Sequence, residues 1–277
     1  MPTPTRPRSP RRPTGRPCDD RGRHDARERH RLTPETPRLS AVREDADVVT
    51  SSDAYARRFA GEVGAFFLDV QSRITLELLG PFPAASVLDV GGGHGQTTGA
   101  LVEAGHAVTV LGSDPCCEAR VRRWTASARA AFVAADLLSP DLPDRSFDVV
   151  LSYRLLPHVR RFEELVATLA RLARRAVVVD YPTRRSLNAV ADLSFGLKRS
   201  VESDTRPFRV FADAEVRQAF AAHGLHPTAR RGQFFLPMAF HRAVGSAGLA
   251  RRLEAGASAA GLTRLFGSPV ILRLERG

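Results

Sequence analysis

Val87-Leu88-Asp89-Val90-Gly91-Gly92-Gly93-His94-Gly95 decides the reading of this chain. Two apolar residues, an acid and one more apolar residue make a short strand, and four glycines in the next five positions stop it in a tight loop. A helix follows at once, through Gln96 to Ala104. Glycine permits positive φ and puts no Cβ between the main chain and a ligand. The amides of the loop and of the new helix are then free to face a polar or anionic group. Spacing excludes two familiar uses of such a loop. Gln96 stands where the third glycine of Gly-x-Gly-x-x-Gly belongs, so the dinucleotide pattern is not met. No Gly-Lys-Ser or Gly-Lys-Thr follows, which excludes a phosphate-gripping nucleotidase loop.

Outward from this loop, strands and helices alternate. Apolar runs predict strands at 86–90, 107–111, 131–134, 147–152 and 175–180, with helices at 96–104, 115–127 and 160–173. The strands are apolar without strict alternation, as in a parallel sheet covered on both faces. Ahead of them, Ser52-Asp53 caps a helix carrying Tyr55, Phe59, Val63, Phe66, Phe67, Val70, Ile74 and Leu78, which Gly80-Pro81 ends. Beyond strand five come one amphipathic face (Leu187, Val190, Leu193, Leu197), a helix at 212–223, a strand over 227–243 interrupted by Pro237, a helix at 248–266 and a last strand at 269–274. The prediction is an α/β, doubly wound, mostly parallel seven-stranded sheet with an antiparallel C-terminal strand. Its ligands belong beyond the carboxyl ends of the strands. Three regions follow: a disordered basic tail at 1–45, a helix and cofactor-binding core at 46–180, and an acceptor-covering insertion that completes the sheet at 181–277.

The net charge of +11 divides into +6 over residues 1–40, −3 over 41–180 and +8 over 181–277. The segment with the glycine loop is thus mildly acidic, and no zinc finger, aromatic ladder or basic recognition helix accompanies the basic ends. Nucleic acid is therefore not the expected partner. The proline- and arginine-rich tail buries too little apolar surface to offset ordering. It lacks the apolar stretch of a secretory signal, and no run of apolar residues is long enough for a membrane span. Three cysteines make neither a disulfide framework nor a metal site, so a reducing cytoplasm is expected and no metal. Monomer and homodimer are both left open.

In this order the chain resembles the class I S-adenosylmethionine-dependent methyltransferases, well over residues 50–180 and more loosely to the C-terminus. Asp89-Val90-Gly91-Gly92-Gly93-His94-Gly95 stands at the family's glycine motif, and Ala134-Ala135-Asp136 at the adenine. Leu142 to Val150 resembles the approach to the fourth strand, and Leu155-Leu156-Pro157-His158-Val159 the turn after it. The resemblance implies S-adenosylmethionine as cofactor. Gly91, Gly93 and Gly95 allow close passage of the chain, and Asp89 acts on the ammonium end through the loop or water, or caps the loop. The ribose hydroxyls fall to Asp114 or to Ser113; the rival role of Asp114 is to cap the helix opening at Pro115. Asp136 accepts from the adenine amino group or closes strand three, with Leu137 against the ring. Tyr55 closes over the cofactor or simply packs.

Methyl transfer is an in-line displacement, and alignment and desolvation supply much of its rate. A base is needed only when the acceptor must lose a proton. His158, which follows strand four, is the catalytic candidate because imidazole titrates near neutrality; it reads equally as a pocket or structural residue. Tyr153, Arg154 and Tyr181 follow strand ends and are expected to line the acceptor pocket, and His241 and Arg242 to reach its side. Arg206 and Arg209, in the basic stretch 184–209, are expected to bind an anionic acceptor, against the alternative of a solvated basic face. The function expected is methylation of a small molecule, on oxygen first, with carbon and nitrogen next. Three other readings stand beside it: an RNA methyltransferase, a noncatalytic adapter retaining the fold, and a nicotinamide oxidoreductase, which the glycine spacing disfavours.

Overall fold

The computed structural model describes residues 43–187 and 208–277. Seven strands form one sheet: β1 (Ser86–Val90), β2 (Ala107–Gly112), β3 (Ala130–Ala134), β4 (Phe147–Ser152), β5 (Ala173–Tyr181), β6 (Leu225–Phe234) and β7 (Ser268–Arg276). Their order is β3-β2-β1-β4-β5-β7-β6, and β7 runs antiparallel to both its neighbours. The first five strands are mutually parallel. The chain winds from β1 outward to β2 and β3, then returns to β4 on the other side. The reversal lies between β1 and β4, and it is the switch point where a doubly wound sheet opens a crevice.

The helices are α1 (Ala46–Thr50), α2 (Asp53–Ala56), α3 (Gly61–Leu79), α4 (Thr98–Glu103), α5 (Arg122–Thr125), α6 (Phe162–Leu172), α7 (Asp213–Ala221), α8 (Met238–Val244), α9 (Ala247–Ala259) and α10 (Leu262–Phe266). Successive strand residues point to opposite faces. Leu88, Val90 and Val150 thus join Leu165, Leu169 and Phe220 in one core, while Val87, Val149 and Leu151 meet Phe66, Phe67 and Ile74 in the other. The 3.6-residue spacing of Val63, Phe67, Val70, Ile74 and Leu78 places all of them on the buried stripe of α3.

Four predicted elements differ. The first helix is broken. Ser52 caps α2 by accepting from Tyr55 N at 3.2 Å, but a 3-10 turn (Arg57–Phe59) follows, and α3 restarts at Gly61 with φ +73°. The chain doubles back so tightly that a Cβ on Gly64 would lie 2.2 Å from the Phe59 carbonyl carbon. The helix expected over 115–127 is a 3-10 turn (Pro115–Glu118) followed by the short α5. Pro237 does not interrupt a strand: β6 ends at Phe234, and Pro237 precedes α8, where its missing N–H costs nothing. The helix expected over 248–266 divides into α9 and α10 at Gly261, whose φ is +75°. The amphipathic face around Val190 lies outside the described residues, as does the tail up to residue 42.

Candidate functional site

The turn after β1 is built as its glycines require. Gly91 and Gly95 take left-handed φ of 75° and 67°, on either side of a 3-10 turn (Gly92–His94). Gly91 N donates to the Leu111 carbonyl at 2.8 Å, which ties the turn to β2. Gly92 rests on the Asp89 side chain, where a Cβ would come within 2.2 Å of the carboxyl carbon. Asp89 is fully buried and accepts from Thr97 Oγ1 at 2.6 Å; its other oxygen has no hydrogen-bond partner. Burial pushes its pKa up to about 6, the Thr97 hydroxyl opposes this, and the Asp180 charge adds to it. Asp89 thus braces the loop from beneath. His94 is also buried, and its Nδ1 accepts from Gln96 N at 3.1 Å. Burial, with the Arg154 and Arg120 charges, brings it down to about 3, so it stays neutral at physiological pH.

The upper side of this turn is covered by α1, which the sequence did not mark. Asp47 Oδ2 accepts from Ser113 N at 2.7 Å, just past the end of β2. Burial raises the Asp47 carboxyl above its ordinary range, against the pull of Ser113 and Cys117. A Cβ on Gly91 would lie 3.1 Å from Leu155 Cδ2 and 3.6 Å from Asp47 Cβ; one on Gly93 would lie 2.4 Å from Ser51 Oγ. Asp47 Oδ1, Ser51 Oγ and Ser113 Oγ are buried around the turn without an aligned hydrogen bond. Such a gathering of buried polar atoms, facing one another without well-aligned bonds beside left-handed glycines, fits a polar nucleoside and amino acid.

Beside it, at the switch point, Ser152 Oγ donates to the Val90 carbonyl at 3.1 Å and holds β4 against β1. Arg154 follows with φ +58°, a strained conformation for a residue with a side chain. Two bonds hold it there: its N donates to Asp180 Oδ1 at 2.6 Å, and its Nη2 to Gln71 Oε1. Its guanidinium lies over the Phe59 ring, 4.3 Å from the centroid. Burial raises Asp180 to about 6, against the Arg154 charge and N–H.

The remaining predicted residues divide. Asp114 caps its 3-10 turn, accepting from Cys116 N at 2.9 Å, and Asp136 accepts from Leu138 N at 3.0 Å. Leu137 is buried in the core that holds β3's neighbours. Tyr55 is half-buried, with its ring 5.8 Å from that of Phe59. His158 ends a 3-10 turn (Leu156–His158), half-buried, its ring 5.6 Å from Phe208. Three expectations for the acceptor pocket change. Tyr153 is fully buried with its hydroxyl 2.8 Å from Thr75 Oγ1, so it fastens β4 to α3. Tyr181 is buried against Phe211 and packs into the core. Arg209 is spent on Glu215 and on the faces of Phe162 and Phe211. Arg206 lies outside the described residues. His241 is a core residue, 2.8 Å from Glu254 Oε1, and Arg242 lies over the Phe67 ring with Nη2 donating to the Arg58 carbonyl. Sequence reasoning missed Asp47, Ser51, Gln71 and Asp180. For Asp180 the signal was present, since an acid ending an apolar strand repeats the pattern of Asp89.

Residues 88–178 match the family model described as a methyltransferase domain. No curated protein matches the chain. Among solved structures, the magnesium protoporphyrin IX methyltransferase of Synechocystis with bound S-adenosylhomocysteine superposes at a TM-score of 0.57. It is 17% identical, over 81% of this chain and 94% of its own. An S-adenosylmethionine-dependent methyltransferase of Thermotoga maritima matches at 0.54, with 14% identity over 81% and 95% of the two chains. Geranyl diphosphate methyltransferase, in complex with its diphosphate and sinefungin, matches at 0.54, with 16% identity over 76% and 77%. The sheet order and the glycine turn define a doubly wound cofactor-binding protein. More particularly, residues 88–178 match a methyltransferase domain, and the fold around them is that of the solved methyltransferases.

Proposed function

We propose that the protein transfers the methyl group of S-adenosylmethionine to a small-molecule acceptor, on oxygen. The observation that carries this reading is the glycine turn at the switch point, with buried polar atoms gathered around it. The main chain of Gly91, Gly93 and Gly95 passes along the cofactor, and Asp89 fixes the turn from below. Ser113 and Asp114 hold the ribose hydroxyls, Asp136 and Leu137 the adenine, and Tyr55 closes over the site. S-adenosylmethionine supplies a carbon already activated by positive sulfur; the chain's residues align the acceptor and exclude water. His158 takes the acceptor proton. Solved proteins of the same fold named for a porphyrin and for geranyl diphosphate support a small-molecule acceptor. The buried thiol of Cys117 suits a reducing cytoplasm. Among the described residues no helix is long and apolar enough to cross a membrane.

One observation favours a second reading. Asp47 and Ser51 pack on the face of the turn that the cofactor would need, as they would in an adapter that keeps the fold without the chemistry. Calorimetry of the full chain with S-adenosylhomocysteine and with NADH decides. Saturable binding of the first and not the second is expected. Binding of neither selects the adapter, and retention of NADH alone overturns the methyltransferase reading.

A further inference from the structure

Three arginines from distant parts of the chain converge beside the switch point. Arg154 leaves β4, Arg58 sits on the 3-10 turn before α3, and Arg242 lies on α8. A continuous set of contacts joins them. Arg154 lies over Phe59, Phe59 meets Tyr55, and Arg58 lies 5.1 Å from the centroid of Tyr55. Arg242 donates from Nη2 to the Arg58 carbonyl at 3.3 Å and lies over Phe67, 5.4 Å from its centroid.

None of the three guanidinium groups is paired directly with a carboxylate among the described residues, although the Arg154 charge lies near enough to the buried Asp180 to act on it. Other arginines near the site are matched: Arg120 with Asp53 at 2.6 Å, and Arg209 with Glu215. Arg58, Arg154 and Arg242 enter no ion pair among the described residues. Arg154 spends Nη2 on the neutral Gln71, and its Nε is buried without a partner. Asp180 serves the Arg154 main chain and is buried. Burial and the charges of Arg58 and Arg154 hold Arg242 below the ordinary arginine range, so the group works against its own repulsion. Arg58 and Arg242 are exposed and Arg154 is half-buried, so a ligand can reach them. Guanidinium forks match carboxylate and phosphate oxygens, and the Phe59 and Tyr55 rings beneath Arg154 and Arg58 support them.

We propose that Arg58, Arg154 and Arg242 recognise the acidic group, carboxylate or phosphate, of the methyl acceptor. This rests on the methyltransferase reading for the word acceptor alone; the anion site stands on its own geometry. It moves the charge recognition expected of Arg206 and Arg209 to residues that make no direct ion pair among the described residues.

The test is calorimetry of the full chain at fixed ionic strength, with and without S-adenosylhomocysteine. The probes are 4-hydroxybenzoate, phenyl phosphate and the neutral 4-hydroxybenzamide. At least one anion is expected to bind about tenfold or more tightly than the amide, and the two anions separate carboxylate from phosphate. Arg58→Gln and Arg242→Gln should each lose about tenfold or more of that affinity. Arg123→Gln, which removes an exposed arginine lying over Trp124, should lose none. Equal binding of the amide, no saturable binding of either anion, or an equal loss in Arg123→Gln overturns the proposal. Anion binding without S-adenosylhomocysteine binding sinks the donor assignment alone; the reverse outcome sinks this inference alone.

Discussion

Replacing Thr97 with valine isolates the brace beneath the glycine turn. Valine keeps the shape and removes the hydroxyl that reaches Asp89 Oδ2 at 2.6 Å. Asp89 has no other hydrogen bond and no access to water. A bond to a charged group contributes about 1.5–3 kcal/mol, so Thr97→Val should cost about 2 kcal/mol where Asp89 is ionised. The cost depends on pH, and its sign is fixed. The folded pKa of Asp89, about 6, lies above the unfolded value of 3.8. The folded state therefore holds the proton more tightly, and stability rises as pH falls through 6 toward 4. Removing the hydroxyl disfavours the charged form further and pushes the folded pKa higher. The deficit of the variant should be full at pH 8 and shrink below pH 6, where both proteins carry the neutral acid. Urea unfolding followed by the single tryptophan, Trp124, between pH 5 and pH 8 measures it. A deficit that stays constant across that range, or grows toward pH 5, would refute the account of a buried carboxylate held by one hydroxyl.

Three further outcomes follow from the same geometry. Gly93→Ala places a methyl 2.4 Å from Ser51 Oγ and 2.7 Å from the Cys117 carbonyl oxygen; it should cost about 1–3 kcal/mol in chemical denaturation, and an unchanged midpoint counts against the packing of α1 on the turn. Glu254 accepts from Phe235 N at 2.8 Å and Leu236 N at 2.9 Å and meets His241 Nε2 at 2.8 Å, so Glu254→Gln turns one acceptor into a donor facing donors and should cost about 2 kcal/mol or more in thermal or urea unfolding. If His158 is the base, His158→Phe should lower methyl transfer by about 10²–10⁴ and flatten the acid limb of the rate profile, with S-adenosylhomocysteine affinity unchanged; a parallel loss of that affinity would make it a packing residue.

The central sheet was legible because each parallel strand is an apolar run between turn residues, and burial on both faces leaves little room for another reading. Strand order beyond β5 was less so. The β6–β7 pair is held by cross-strand contacts far apart in sequence, and Pro237 looks the same in a broken strand as ahead of a helix. Helix breaks at Gly61 and Gly261 depend on positive φ, which glycine permits and does not demand. At the site, the glycine turn and its acid were readable because their spacing is local. Asp47 was not: a five-residue helix has no periodicity to detect, and its partner, Ser113, is a strand away. Tyr153 and Tyr181 were misplaced for a related reason. A residue after a strand end faces either crevice or core, and only the third dimension says which. Arg154, whose neighbours come from α3 and from the turn before it, shows the same dependence in the other direction.

If the cofactor takes the face of the turn that Ala46–Thr50 covers, nucleotide affinity becomes a two-part quantity. What calorimetry reads is the intrinsic grip of the crevice multiplied by the fraction of molecules in which that short helix stands aside. Loosening the contact with Ser51→Gly should tighten S-adenosylhomocysteine binding if the helix is a counterweight; weaker binding would show that the Ser51 hydroxyl serves the ligand instead, and equal binding that the helix is no counterweight.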